Sequence, residues 1–151
     1  MRNLLLTLLL LLPMTLAAQH DLAVGKVLDG RYKKNVHTTD VEISGERLSE
    51  YRLIYYHSLT VTDDTAIMDA IATAVMADEA KAINKEVSTI GARLYYGFFQ
   101  MTDDNTKLDG IHRYLFFRDM RVAKTGSQPM VSIIYMEGPA SLNFLKSKFQ
   151  K

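Results

Sequence analysis

Apolar and polar positions alternate along this chain with two periods, and each change of period marks an element. From Val36 to Ile43 the period is two: His37, Thr39, Val41 and Ile43 lie on one side, Val36, Thr38, Asp40 and Glu42 on the other. Alternation with β-branched residues reads as a strand. Ser44-Gly45 ends it, and Glu46 to Tyr51 reads as a turn or short helical segment. Arg52 to Val61 alternates again, with Leu53, Tyr55, His57, Leu59 and Val61 on one face. Thr62-Asp63-Asp64 then supplies side-chain oxygens for the free amides of a helix's first turn, and acidic residues suit the positive end of the helix dipole. An alanine-rich stretch follows without glycine or proline, and Met68, Ile71, Val75 and Ala82 recur at helical spacing. The pattern predicts one long helix running to about Val87, with Gly91 as its stop.

Three apolar segments of strand length come next: Arg93 to Met101, Ile111 to Arg118 and Met130 to Glu137. Turn residues fill the links Asp103 to Gly110 and Met120 to Gln128. Gly138-Pro139 ends the last strand, and Ser141 stands where it can cap a short final helix, Leu142 to Phe149. The order is ββαβββα. It predicts an α+β domain with an antiparallel sheet of about five strands and the long helix packed on one face. If the last three strands form a meander, Leu115, Phe117, Ile133 and Tyr135 share one face with Tyr95 and Phe99. Tyr96, Phe98, Tyr114 and Phe116 share the other. The first set is the expected seat of the helix stripe Met68, Ile71 and Val75.

The chain opens on a charged Met1-Arg2-Asn3, an apolar run from Leu4 to Leu12 broken only by Thr7, and small residues through Ala17-Ala18. These are the three parts of a secretory signal peptide. Fifteen residues with a proline inside fall short of the roughly 20 that span a bilayer. The expectation is a leader at 1–18, cleaved after Ala18 or alternatively after Ala17, and a single domain at 19–151. Residues 19 to 34 read as a lead-in with a turn at Asp29-Gly30. There are 18 basic and 17 acidic residues, and losing Arg2 with the leader evens the count. A balance near zero argues against a nucleic-acid binder and offers no polybasic membrane patch. The chain has no cysteine, which excludes disulfides, thiolate zinc sites and a catalytic thiol. The product expected is a soluble protein, periplasmic or extracellular.

Seven stretches resemble a family of small exported proteins of Bacteroidetes-type bacteria that is known only as a domain of unknown function. They are GKVLDGRYKKN (25–35), VEISGERLSEYRL (41–53), SLTVTD (58–63), ADEAKAINKEVS (77–88), RLYYGFFQM (93–101), RYLFFRD (113–119) and IYMEGPASLNFLK (134–146). The resemblance covers most of the chain and supports export. None of the stretches is a catalytic signature, so it carries no functional residue over.

Candidate chemistry is sparse. The histidines are His20, His37, His57 and His112, and no two have the close helical spacing of a zinc site. A hairpin turning near Leu48 would bring His37 and His57 to one face, which is too few ligands for a metal. Asp103 to Gly110 hints at a calcium loop, but Lys107 and Leu108 stand where an oxygen ligand and a glycine belong. On the expected helix, Glu79 and Glu86 fall in one sector near Asp78. That would make an acid–base pair if buried, or ordinary solvated carboxylates beside Lys81 and Lys85. No serine elbow or phosphate loop occurs. No catalytic residue, metal ligand or cofactor is assigned. The strongest feature is the surplus aromatic face. One helix covers one side of the sheet, so Tyr96, Phe98, Tyr114 and Phe116, with His112 and Arg118 projecting beside them, need the terminal segments, a second chain or a ligand as cover. The functional expectation is a non-enzymatic exported binding or interaction module of the periplasm or cell envelope, with a protein or small ligand as partner. The alternatives are a hydrolase-like enzyme using the helix carboxylates and a structural homodimer.

Overall fold

The structure, a computed structural model, describes residues 21–103, 109–123 and 128–149. The expected leader and the tips of the two links at 104–108 and 124–127 lie outside those residues. In chain order the elements are α1 (Val24–Val27), β1 (Thr38–Ser44), a 3₁₀ turn (Glu46–Tyr51), β2 (Tyr55–Thr62), α2 (Thr65–Glu79), β3 (Ala82–Ile90), β4 (Arg93–Met101), β5 (His112–Asp119), β6 (Met130–Gly138) and α3 (Leu142–Phe149). The fold is α+β. Its sheet has the order β1-β2-β6-β5-β4-β3, with every neighbouring pair antiparallel. The chain makes the β1–β2 hairpin, crosses over the sheet in α2, and returns as a four-strand meander that lays β6 against β2.

The sheet holds six strands rather than about five, because the expected long helix is two elements. α2 starts as its caps dictate: the Asp64 carboxylate accepts from the Ile67 amide at 3.1 Å. It ends at Glu79, and after Ala80-Lys81 the chain enters β3. Ile83, Val87, Thr89 and Ile90 are β-branched and favour a pleated surface. Across from them β4 presents an equally strand-prone partner, and Ile90 pairs with Arg93 around Gly91-Ala92. Gly91 has φ 62, so it supplies the left-handed backbone of a two-residue hairpin rather than a helix stop.

Two cores flank the sheet. On one face Met68, Ile71 and Val75 of α2 pack with Leu59, Leu115, Phe117, Ile133 and Tyr135, and Leu22, Val24, Val27 and Leu28 close the same core. On the other, Leu142 and Leu145 of α3 pack with Phe98, Tyr114 and Met136, beside Leu48 and Leu53. α3 is capped by Ser141 Oγ, which accepts from the Phe144 amide at 3.2 Å. Gly138 lets this corner close, since a Cβ there would run into the Arg52 carbonyl and Leu53.

The β1–β2 register corrects a second expectation. Glu42 lies opposite His57 and Asp40 opposite Leu59, so His57 shares its face with two carboxylates. His37 is exposed and precedes the strand. The 3₁₀ turn and the left-handed Arg52 (φ 53) delay β2 until Tyr55, which shifts the pairing from the one a simple turn at Leu48 would give.

Candidate functional site

α2 is a single cylinder about 10 Å wide on a sheet whose outer strands are about 24 Å apart at ~4.8 Å per strand. Residues 21–34 fill the side of α2 toward β1. The side toward β3 is open, and there α2 and the β3–β4 hairpin enclose a cleft of about 580 Å³. That size suits a bound small molecule or a few side chains.

Phe117 floors the cleft, with Leu94 beside it; Val87 and Thr89 of β3 form the outer wall, and Ala72 and Met76 of α2 the inner one. Gly97 keeps the neighbouring floor thin, because the Phe99 ring occupies the space a Cβ would take. Ions close both ends. At one, Arg121 donates from Nε and its backbone amide to Asp119 Oδ1, at 3.0 Å each, and from Nη2 to Oδ2 at 2.7 Å. Its Nη1 reaches Asp69 Oδ1 at 2.7 Å. These hydrogen bonds hold the Arg121 guanidinium well above its ordinary pKa. Arg93 lines the same end, with Nη2 3.9 Å from Asp119 Oδ2 and its side chain 60 % exposed. At the other end Lys85 pairs with Glu79 at 2.8 Å. The cleft is thus apolar along its floor and charge-balanced at its ends.

The six residues expected to form a binding face are divided by the structure. Phe98 and Tyr114 are fully buried beneath α3, and the Tyr114 hydroxyl donates to the Ala140 carbonyl at 2.5 Å. Burial pushes the Tyr114 pKa up to about 12. α3 is short and lands only on that end of the face. Tyr96 and Phe116 stay half-buried, packed edge to face with centroids 5.3 Å apart. Arg118 is exposed but leans to the strand end, where it donates to the Tyr95 hydroxyl at 3.2 Å. His112 packs edge-on to Tyr114, with ring centroids 6.3 Å apart, and its Nδ1 lies 3.0 Å from Asp103 Oδ2.

The expected carboxylate pair does not form. Asp78 is fully buried, and its oxygens accept from the Ala23 and Val24 amides at 2.7 and 2.9 Å. Glu79 ends α2, whereas Glu86 lies on β3 and pairs with Lys146 on the opposite side of the sheet. A different polar chain runs along the α2 face of β1 and β2, from the buried His57 and Tyr55 out to the exposed Glu42. Asp40 Oδ1 lies 2.9 Å from His57 Nε2, His57 Nδ1 lies 3.3 Å from the Tyr55 hydroxyl, and that hydroxyl donates to Glu42 Oε1 at 2.7 Å. The Tyr55 bond holds Glu42 below the ordinary carboxylate range. Further along the row, Tyr135 donates to Glu137 Oε1 at 2.5 Å, and burial pushes both groups up. Arg113 grips Asp21 at 2.7 Å and the Thr102 carbonyl at 2.6 Å. Tyr55, His57, Arg113, Tyr135 and Glu137 are buried while Glu42 is exposed at the rim, and the Arg113–Asp21 pair fastens the 21–34 segment to the body. Among the described residues no three His, Asp or Glu side chains converge on a metal position, and no helix is long and apolar enough to cross a membrane.

The sequence pattern does not single out the cleft residues Val87, Arg93, Leu94, Asp119 and Arg121, because it continues the helix through Val87 and so leaves the cleft without its outer wall. The signal that could have found them is the β-branched run before Gly91-Ala92. A family model matches residues 11–149, and the chain belongs to that family, a family of unknown function (DUF6108). No curated protein and no solved structure matches it.

Proposed function

We propose that the protein is a non-enzymatic binding module, exported to the periplasm or cell envelope, that takes its ligand in the cleft between α2 and the β3–β4 hairpin. One observation carries this reading: the cleft combines an apolar floor with exposed apolar walls. Met76 of the inner wall is 64 % exposed and Val87 of the outer wall 40 %. Clustered exposed apolar side chains beside a concave site mark a place of interaction. The hydrolase alternative loses its motivation, since Asp78, Glu79 and Glu86 point to three different surroundings. Export rests on the leader pattern and the stated resemblance.

The test is an equilibrium titration with an uncharged naphthalene dye, following its fluorescence, on the full chain and on Val87→Lys. Saturable binding that drops about tenfold or more in the variant supports the reading. Equal binding by both proteins removes the cleft from it. A second surface is favoured by Tyr96 and Phe116 beside Arg118, which pack against the α3-side core and stay half-buried; as a partner-facing patch it would bind independently of Val87.

A further inference from the structure

The outer wall of the cleft is the edge of the sheet. β3 pairs with β4 on one side and with no described strand on the other. Eight of its nine residues are exposed. An edge of this length is a template for another strand unless something blunts it. Register shifts at Ala82/Asn84 and Ser88/Thr89 blunt its two ends, and five residues, 84 to 88, remain regular between them. Charged side chains are the usual guards of such a stretch. Here both are drawn back onto the body: Lys85 bonds Glu79 on the α2 side at 2.8 Å, and Glu86 pairs with Lys146 on the α3 side. The guards neutralise their partners and leave the backbone edge open between them.

We infer that an extended segment of another polypeptide adds to β3 as a seventh strand, its α2-side residues apolar and lying against Val87 at the cleft rim. This rests on the reading of the cleft as the binding site and names its ligand class. Main-chain bonds along residues 84 to 88 supply affinity, and alternate side chains extend the apolar floor, which is the logic of strand addition. The balanced ion pairs at Lys85 and Glu86 suit a segment that is uncharged at the facing positions. A second copy of this chain fits less well. The two-fold antiparallel register that uses all five regular residues sets Lys85 of the copy opposite Val87, a charged side chain where the cleft rim is apolar.

The test uses the full chain, isotope-labelled, with a blocked peptide of alternating valine and threonine as probe. A matching peptide N-methylated at every amide keeps the side chains and loses the donors. The unmethylated peptide is expected to slow amide exchange at alternate residues between 84 and 88, and the methylated one to bind about tenfold or more weakly. If the methylated peptide binds equally well, strand addition is wrong while the cleft reading stands. If neither peptide binds but the naphthalene dye still shifts Val87 and Leu94, strand addition again falls alone. If the dye also fails, both readings fall. A concentration-dependent dimer in sedimentation, with these amides protected before any peptide is added, would overturn the inference in favour of self-pairing.

Discussion

Asp78 holds Val24 in place: its Oδ2 accepts from the Val24 amide at 2.9 Å, while its Oδ1 takes the neighbouring Ala23 amide at 2.7 Å. A carboxylate near the end of α2 thereby caps α1, 54 residues away in sequence, and joins the 21–34 segment to the domain. Because Asp78 is fully buried, the cost of removing it is large. Asp78→Ala strips two charge-assisted bonds and orphans two amides, so it should destabilise the fold by about 3 kcal/mol or more. Asp78→Asn keeps one acceptor oxygen and should lose roughly half of that. Urea denaturation of both variants checks the order, and a loss under about 1 kcal/mol for Asp78→Ala would show that the apolar contacts and the Arg113–Asp21 pair hold the segment without it.

Two glutamates give opposite dependences on pH. Glu42 is held below its ordinary value of 4.5, first by the Tyr55 hydroxyl. Its contribution to stability is complete above that value and is lost as pH falls through the folded one. Glu137 is raised above 4.5 by burial, so its contribution is complete below that value and is lost as pH rises through the folded one. Glu137→Gln should therefore be more stable than the parent at neutral pH and similar to it in acid. Glu42→Gln should be less stable at neutral pH and show a flatter acid limb. Denaturation midpoints from about pH 3 to about pH 8 read both signs, and a Glu137→Gln protein weakened at neutral pH would mean that its bond with Tyr135 outweighs burial.

Tyr114 and Tyr96 stand at equivalent alternating positions in the sequence and differ in cover. Tyr114→Ala should cost about 3 to 5 kcal/mol, as deletion of a fully buried ring does. Tyr96→Ala, half-buried and packed on Phe116, should cost about 1 to 2 kcal/mol. Equal losses in thermal or urea unfolding would contradict the division of that face.

That division shows what the sequence carried. The start of α2 was legible because Asp64 caps it, and the final helix because Ser141 does. The two faces of the meander followed from strict alternation: Leu115, Phe117, Ile133 and Tyr135 do meet the α2 stripe. β3 was not legible because alanine-rich helix passes into AINKEVSTI with no glycine or proline between, and pairing with β4 decides the conformation. The cleft was hidden with it, since its outer wall is β3. Nor could alternation say that α3 would land on Phe98 and Tyr114 and spare Tyr96 and Phe116, because the reach of one short helix depends on where Gly138 and Arg52 anchor the chain.

Export makes its own prediction. The protein recovered from the envelope fraction of its host should have Gln19 or Ala18 as its first residue by mass spectrometry. A chain beginning at Met1 there would sink the cleavage expectation.

The cleft itself is tested most directly by amide chemical shifts of the full-length protein during titration with the uncharged naphthalene dye. The shifts should concentrate at Ala72, Met76, Val87, Leu94 and Phe117, and saturate together with one dissociation constant. Shifts confined to Tyr96, Phe116 and Ile134, or no saturable shift at all, would contradict the assignment of the cleft as the binding site.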